Sequence, residues 1–334
     1  MKGHKSLVYV AAVCALVGMT RVSAGACLDH PATIGFLPKL DTDPYFAVAK
    51  QGAEQAKKEI GGTLIQQAPS TATADAQIEF INNLIAQKVD VIAISGTDAN
   101  AVAPALRRAA SRGVRVVSYD SDVAKSARAL YLNQAQSDSL AQKMLESMGE
   151  LIGYKGQFAI LSSTATATNQ NAWIDVMKKK LQSDPKFAGM KLVQVAYGEE
   201  SEQVNQQQAL ALAEAFPQLK GIIVPAGIGL PAAARALEQA GLLKRIKLTG
   251  LAPATMMKKY IVAGVAQDIW WNVEDLGYLT YYAAQALATC KITGKDGDSF
   301  SAGHLGKYVV GNAGEVVLGA AVIVTPQNVD SFKF

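Results

Sequence analysis

Residues 89–120 read VDVIAISGTDANAVAPALRRAASRGVRVVSYD, and this stretch decides the fold. An apolar run at 91–94 is followed by a polar loop, an alanine-rich segment, Gly113 and a second apolar run at 114–118. Short apolar runs rich in β-branched residues predict buried strands, and the alanine-rich segment predicts a helix between them. A strand–helix–strand unit joins parallel strands, so the stretch predicts a parallel sheet covered by helices.

The second half of the chain repeats this pattern. Residues 220–250, KGIIVPAGIGLPAAARALEQAGLLKRIKLTG, again run from strand through loop and helix to strand. The paired strands are 23 positions apart from Val91 to Val114 and 24 positions apart from Ile222 to Ile246. Chance similarity between α/β units is the alternative interpretation. One unit in each half predicts an α/β protein with two doubly wound parallel-sheet lobes.

Strands and helices alternate over most of the chain. Apolar residues recur every three or four positions at 45–59 and 74–87, which predicts amphipathic helices there. Near the C-terminus, the runs 307–310 and 316–318 flank a glycine-rich turn signal and predict a hairpin. The predicted strands of the α/β pattern are 33–37, 63–66, 91–94, 114–118, 129–132, 157–161, 191–195, 221–224, 246–250 and 265–269.

The composition indicates a globular chain of about two domains. Of its 334 residues, 50% are hydrophobic and 18% are charged, whereas disordered chains are poor in apolar residues. The formal net charge is +4 without a basic block, and nucleic-acid-binding proteins usually cluster their lysines and arginines. Three cysteines and three histidines leave little material for a metal cluster. We therefore expect no nucleic-acid partner and no metal.

The first 26 residues have the layout of a secretory signal peptide. Two lysines precede an apolar run at 7–19, and small residues follow at 23–26. The run is shorter than the roughly 20 residues that span a bilayer, and a buried N-terminal strand or helix is the alternative. Cleavage after Ala26 or Ala24 leaves Cys27 at or near the new N-terminus, where lipidation is a minor alternative. Cleavage lowers the formal net charge from +4 to +1.

Polar and aromatic residues follow the predicted strands, and ligands of open α/β sheets bind beyond the carboxyl ends of the strands. These segments supply a lysine, carboxylates, amides, hydroxyls and tryptophans. Such a set suits a polyhydroxylated ligand, which needs donors and acceptors for its hydroxyls and an apolar surface for its ring. We interpret Lys39, Asp120 and Trp271 as ligand contacts. The residues interpreted instead as helix N-caps are Asp98, Ser137 and Ser201.

Enzyme motifs are weak or missing in the sequence. Residues 227–232, GIGLPA, match a dinucleotide fingerprint, but the next strand lacks the acidic residue expected there. Pro231 is more simply a first-turn helix proline. No P-loop or nucleophile elbow occurs, and neither His30 nor His304 ends a strand of the α/β pattern. We therefore expect no catalytic residues and no cofactor.

Six segments carry a family resemblance: IGFLPK (34–39), VVSYDSD (116–122), TATNQNAW (166–173), VPAGIGLPAAARA (224–236), TGLAPATMMKKY (249–260) and DIWWNVEDLGY (268–278). They resemble the periplasmic sugar-binding proteins of ABC importers, in particular the group that binds autoinducer-2 and rhamnose. The resemblance covers almost all of the chain beyond the signal peptide.

The resemblance implies a type I periplasmic binding protein fold, with two Rossmann-like lobes joined by a three-segment hinge. Polar segments replace the helix pattern at 120–125 and 268–272, which predicts an N-terminal lobe of residues 27–122 and 271–304 and a C-terminal lobe of residues 123–270 and 305–334. The resemblance also implies a periplasmic monomer that closes around a sugar or polyol, delivers it to the membrane permease of an ABC importer and catalyses no reaction.

The resemblance implies particular ligand residues as well. The Asp–Gln pair of the autoinducer-2-binding proteins appears here as Asn169-Gln170, and their Trp–Asp pair appears as Trp271-Asn272. An amide offers one donor group and one acceptor where a carboxylate only accepts, so these departures favour a neutral monosaccharide or polyol of deoxyhexose or pentose type. Autoinducer-2 is the alternative ligand. The predicted ligand set is Lys39, Phe46, Asp120, Asn169, Gln170, Pro225, Gly227, Trp271 and Asn272.

Two other classes of protein remain open. A LacI-type regulator shares this fold, but it begins with a helix-turn-helix instead of a signal peptide. An exported enzyme on a doubly wound fold would need an acid–base set, which the sequence does not reveal.

The placement of two cysteines predicts a disulfide. Cys27 immediately precedes the first strand, at the end of its lobe away from the cleft. Cys290 ends a predicted helix that begins at the crossover near residue 271 and runs away from the cleft in the same lobe. Both residues should therefore meet, and an oxidising compartment permits a Cys27–Cys290 bond.

Overall fold

The computed structural model describes residues 26–332. The predicted signal peptide, apart from its last residue, lies outside the described residues. The strands are β1 (Thr33–Leu37), β2 (Thr63–Gln66), β3 (Val91–Ile94), β4 (Arg115–Tyr119), β5 (Leu130–Asn133), β6 (Gly156–Ser162), β7 (Met190–Tyr197), β8 (Leu219–Val224), β9 (Lys247–Gly250), β10 (Asp268–Trp270), β11 (Ser299–Ser301), β12 (Lys307–Val309), β13 (Glu315–Val317) and β14 (Val322–Val324). The α-helices are α1 (Pro44–Ile60), α2 (Ala74–Ala86), α3 (Ala103–Ser111), α4 (Ser137–Ile152), α5 (Thr168–Ser183), α6 (Glu202–Ala215), α7 (Gly229–Gln239), α8 (Ala254–Val262) and α9 (Val273–Ala288).

The first sheet has six strands in the order β13–β5–β4–β3–β1–β2, and all neighbours run parallel. Helices α1 and α9 pack on one face, and α2 and α3 pack on the other. Because both faces are covered, the central strands are continuous apolar runs instead of alternating ones. This is the architecture that residues 89–120 predict.

The second sheet has the parallel order β7–β6–β8–β9. Ala266 forms a parallel bridge to Leu248 of β9, and the following strand β10 pairs antiparallel with β14. Helices α6, α7 and α8 contribute to the core on one face of this sheet. The structure therefore contains the two α/β lobes expected from the repeat.

Strand pairing moves two segments out of the predicted C-terminal lobe. The predicted lobe includes residues 123–133 and 305–318, but β5 pairs with β4 and β13 pairs with β5 in the first sheet. Each of these strands satisfies the hydrogen bonds of the free edge beside it, so the chain leaves the first lobe later than predicted. We propose lobes of residues 27–133 with 271–318 and of residues 134–270 with 319–332.

The predicted C-terminal hairpin is wrong. β12 pairs antiparallel with β11, and β13 joins the first sheet instead of pairing with β12. The glycine-rich turn at 311–314 therefore redirects the chain from one sheet to another.

Helices α1 and α9 lie in close backbone contact. A Cβ atom on Gly52 would lie 1.8 Å from the carbonyl oxygen of Glu274, and one on Gly277 would lie 1.7 Å from the carbonyl oxygen of Ala49. Only glycine permits this approach. Since α9 begins directly after the second crossover, the packing holds that crossover against the first lobe.

A disulfide joins Cys27 to Cys290, with Cα atoms 5.4 Å apart. The amide of Leu28 donates to the carbonyl oxygen of Ala288 at 3.0 Å, which fixes the N-terminal segment to the end of α9. This is the pairing expected from the sequence. Because lipidation would need the same sulfur of Cys27, the disulfide and a lipid anchor exclude each other. Among the helices within residues 26–332, none combines the length and hydropathy of a membrane span.

Candidate functional site

A cavity lies between the two lobes, at the carboxyl ends of their strands. Short loops after β1, β4, β7, β8 and β9 reach it, together with the start of α5 and the second crossover. Its lining residues are Lys39, Asp43, Tyr45, Phe46, Asp120, Asn169, Gln170, Trp173, Glu200, Pro225, Gly227, Leu251, Ala252, Pro253, Ile269, Trp270, Trp271 and Val273.

The carboxylate of Asp120 contacts polar groups from both lobes. It accepts hydrogen bonds from the Ser95 hydroxyl at 2.7 Å, the Tyr45 hydroxyl at 3.3 Å and the Asn169 amide at 3.2 Å. The Lys39 ammonium lies 3.7 Å from the same carboxylate. Lys39 and Asp120 are only 4% and 6% exposed, so each charge depends on the other for compensation.

The backbone aims Asp120 into the cavity. Its φ of 58° lies in the left-handed region, which aspartate tolerates better than most residues. The amide of Asp120 donates to the carbonyl oxygen of Leu132 at 3.1 Å, and the Tyr131 hydroxyl donates to its carbonyl oxygen at 2.9 Å. Strand β5 thus fixes both peptide groups of Asp120, which directly follows β4.

Aromatic side chains form an apolar wall of the cavity. The indole Nε1 of Trp271 donates to the Tyr45 hydroxyl at 3.3 Å. The Trp271 ring centroid lies 6.2 Å from that of Tyr45 and 6.3 Å from that of Trp173, both in edge-on geometry. Phe46 packs edge-on against Tyr45 at 5.1 Å. Such a wall can pack against the C–H face of a sugar ring.

The second lobe contributes amides. The Gln170 amide donates to the carbonyl oxygen of Pro225 at 3.2 Å, while the oxygen of the same side chain is buried without a partner among the described residues. The Asn169 side-chain oxygen accepts from the backbone amide of Gln170 at 3.0 Å. A buried acceptor without a partner is costly, so the Gln170 oxygen is well suited to accept a ligand hydroxyl.

Direct hydrogen bonds close the cleft beside the cavity. The Thr168 hydroxyl donates to the carbonyl oxygen of Asp122 at 2.8 Å and lies 3.1 Å from the Ser121 hydroxyl. The Thr166 hydroxyl donates to the carbonyl oxygen of Thr97 at 3.2 Å. These bonds connect the two lobes, so the structure has a closed cleft.

Eight of the nine predicted ligand residues line this one cavity, and their contact with a ligand stays a prediction. The structure gives Asn272 a different role and places it outside the cavity lining. Its side-chain oxygen accepts from the backbone amide of Asp275 at 3.0 Å, which caps the N-terminus of α9. An amide or a carboxylate can serve as this cap, so the residue type here gives no information about the ligand.

Sequence reasoning missed two carboxyl groups of the cavity, Asp43 and Glu200. Asp43 precedes α1 and caps it by accepting from the backbone amide of Tyr45 at 3.0 Å. Glu200 follows β7 with a left-handed φ of 51°. Both loops follow strands, so the rule that ligands bind beyond strand ends applies to both. The predicted ligand set nevertheless contains no residue of the loop after β7.

The cavity shifts the acidity of these groups. Burial, assisted by the charge of Glu200, raises the pKa of Asp43 to about 7. Burial also raises the pKa of Glu200, although the Lys39 ammonium opposes this rise. The pKa of Tyr45 lies well above its usual range because the hydroxyl is buried and faces the Asp120 carboxylate. The cavity therefore disfavours additional negative charge.

The fold agrees with that of known proteins. The model of the periplasmic binding protein domain family matches residues 34–294, and the chain belongs to that family. This confirms the family and the type I periplasmic binding protein fold predicted from the sequence. It is a family of solute-binding proteins, with an extracytoplasmic location.

Among solved structures, the chain is similar to an ABC transporter solute-binding protein from Clostridium phytofermentas with bound L-rhamnose. The two are 36% identical with a TM-score of 0.87, and the match covers 90% of this chain and 98% of that chain. LsrB from Clostridium saccharobutylicum in complex with AI-2 is 25% identical with a TM-score of 0.85, and the match covers 90% and 100% of the two chains.

A curated relative, the D-apiose import binding protein of Actinobacillus succinogenes, is 25% identical over 210 residues. That match spans 62% of this chain and 66% of the relative.

Proposed function

We propose that the protein binds a small neutral sugar or polyol of deoxyhexose or pentose type and delivers it to the permease of an ABC importer. The observation that carries the proposal is the cavity itself. Lys39 and Asp120 from the first lobe, Asn169 and Gln170 from the second, and the Trp271 wall surround one small space. Hydroxyl groups need such donors and acceptors, and the ring needs the apolar face. The similarity to the L-rhamnose-bound protein supports the choice of a deoxyhexose.

Binding works by closure, because the contacts come from both lobes. A ligand that touches both lobes stabilises the closed arrangement over the open one by its differential interaction with the two states. The closed, monomeric complex then docks on the permease, which takes up the sugar. No catalytic step is part of this function.

Autoinducer-2 is the second candidate ligand. The Lys39–Asp120 pair matches the pattern of autoinducer-2-binding proteins, and the similarity to LsrB supports it. Asn169 opposes it, because this amide donates to Asp120 where that pattern has an acid.

A thermal-shift screen of the mature chain tests both candidates. The panel contains L-rhamnose, L-fucose, D-apiose, D-arabinose and autoinducer-2, with the disaccharide sucrose as a control. A ligand at 100 times its dissociation constant stabilises the folded protein by about 2.7 kcal/mol. We expect a shift with at least one deoxyhexose or pentose. A shift with autoinducer-2 alone supports the second candidate, and no shift with any monosaccharide contradicts the first.

Export through the signal peptide is a separate part of the proposal. The mass of the protein recovered from outside the cytoplasm should correspond to a chain that begins after Ala24 or Ala26. A chain that retains residues 1–24 contradicts this part alone.

A further inference from the structure

The cavity contains more negative than positive charge. Its charged lining residues are three carboxyl groups, Asp43, Asp120 and Glu200, and one amine, Lys39. Lys39 lies 3.7 Å from Asp120, and no ion pair within 4.0 Å joins it to Asp43 or Glu200 among the described residues. Asp120 therefore uses most of the compensation that the amine can provide.

Asp43 and Glu200 come from opposite lobes, and each contributes a carboxyl group to the lining of the cleft. Both residues line the ligand cavity, and both also line a second, outer cavity that opens beside it. The outer cavity adds only one basic residue, Arg235, and its guanidinium is paired with Glu202. Neither cavity thus offers an uncommitted cation to this pair of carboxyl groups.

Closure of the cleft brings these two carboxyl groups into one poorly solvated space. Two carboxylates that share such a site cannot both ionise cheaply, and uptake of one proton relieves the repulsion. The charges that face the pair act in both senses. Asp120 adds to the repulsion on both groups, Glu199 adds to that on Glu200, and Lys39 opposes it on both. The backbone amide of Tyr45 favours the ionised form of Asp43.

We propose that Asp43 and Glu200 are ligand-specificity residues that retain one proton between them in the closed cleft, so that sugar binding takes up a proton. This inference rests on the proposed function. The retained proton gives the cavity a carboxyl donor as well as a carboxylate acceptor, which matches a neutral hydroxyl group, and it leaves one negative charge fewer in the closed site. The raised pKa values of both groups agree with this arrangement.

The sign of the pH dependence follows from this coupling. In the open cleft both groups are solvated and lose their protons near the ordinary pKa range, whereas the closed cleft retains one proton up to a pKa of about 7 at Asp43. Between these limits the closed, sugar-bound state holds more protons. Affinity should therefore fall as pH rises, by at most about tenfold per pH unit, and should level off above about pH 7.

Titration calorimetry with L-rhamnose tests the proposal from pH 5 to 8. Measurements at pH 6 in buffers of different ionisation enthalpy give the number of protons taken up, and we expect a value near one. The Asp43→Asn variant keeps an N-cap for α1, so it should fold. In Asp43→Asn the proton uptake and the pH dependence should fall sharply, and in Glu200→Gln they should fall by less, because burial is the larger cause of the raised pKa of Asp43. The matched control Glu202→Gln alters the exposed acid of the outer cavity and should keep both.

The outcomes test this inference and the proposed function separately. Tight L-rhamnose binding with no proton uptake and no pH dependence overturns the retained proton and leaves the proposed function intact. Failure of L-rhamnose and of every other sugar in the screen to bind at any pH overturns the proposed function and this inference with it. Tighter binding of D-glucosamine than of L-rhamnose, without proton uptake, also overturns the inference, because the ligand would then supply the missing positive charge.

Discussion

Asp120 compensates a buried lysine as well as facing the proposed ligand. Asp120→Asn keeps the size of the side chain and tolerates the left-handed backbone, but it removes the charge next to Lys39. Loss of a charged hydrogen-bond acceptor costs about 1.5–3 kcal/mol, which is about tenfold to a hundredfold in affinity for L-rhamnose by calorimetry. The unpaired Lys39 should also lower the thermal stability of the ligand-free protein.

A matched control for this change is Asp41→Asn, because Asp41 is exposed and lies two residues from Lys39. It should leave both affinity and stability unchanged. If Asp120→Asn binds as tightly as the wild type, the ligand does not occupy the space around Asp120.

The residue types of the site were predictable only where a strand-end position coincided with a distinctive side chain. Lys39 and Asp120 follow strands directly, so the sequence placed them at the cleft. Asp43 looks like an ordinary helix cap, and it is one. Its place beside the cavity depends on the fold, because Glu200, more than 150 positions away, lines the same cavity from the other lobe. Repulsion between such distant groups exists only in the folded chain, and no local pattern encodes it.

At the scale of helices, the contact between α1 and α9 depends on Gly52. A methyl group at this position would overlap the backbone of Glu274, so the helices must separate. Overpacking of this kind costs roughly 1–3 kcal/mol, and Gly52→Ala should lower the unfolding free energy in urea by this amount. Gly319→Ala is the control, since no atom lies within 4 Å of its added Cβ. Equal stability of the two variants would show that α1 and α9 can separate without cost.

The Cys27–Cys290 disulfide links the start of β1 to the end of α9, 263 positions later in the chain. Replacement of both cysteines by serine releases this long loop in the unfolded chain and should cost about 2–4 kcal/mol of stability. L-Rhamnose affinity should persist, because the bond lies at the amino end of β1 and the cavity lies at its carboxyl end. A dithiol reductant should destabilise the wild type but not the double variant.

A thiol titration of the mature, unreduced protein checks the same bond. We expect no free thiol, because Cys27 and Cys290 are the cysteines that remain after the first 26 residues. Two reactive thiols would contradict the disulfide, and a lipid on Cys27 would leave one thiol on Cys290.

Elements were predicted more reliably than their assignment to a lobe. The strands 33–37, 63–66 and 91–94 were predicted with the bounds that the structure shows, because apolar runs mark buried parallel strands. The pairing of β5 with β4 and of β13 with β5 is different, since the pairing partner of a strand is not encoded in its own residues. Strand β13 lies nearly 200 positions from β4, and only the free edge left by β5 selects its place.

Closure of the whole molecule should change the fluorescence of Trp271. This residue lies at the second crossover, and its ring lies beside Tyr45 of the first lobe and Trp173 of the second. Opening of the cleft must change at least one of these contacts, so L-rhamnose should alter the tryptophan emission and lower the radius of gyration in X-ray scattering.

Trp271→Phe should lose most of that emission change while the scattering still reports closure. The two readouts must be combined, because a bound sugar could quench a tryptophan without any movement of the lobes.

Direct lobe-to-lobe hydrogen bonds from Thr166 and Thr168 already stabilise the closed form, so part of the ligand-free population should be closed. Replacement of both threonines by valine should enlarge the ligand-free radius of gyration and leave the sugar-bound value unchanged. An unchanged ligand-free radius would mean that these bonds do not bias the equilibrium, and that closure depends on the ligand alone.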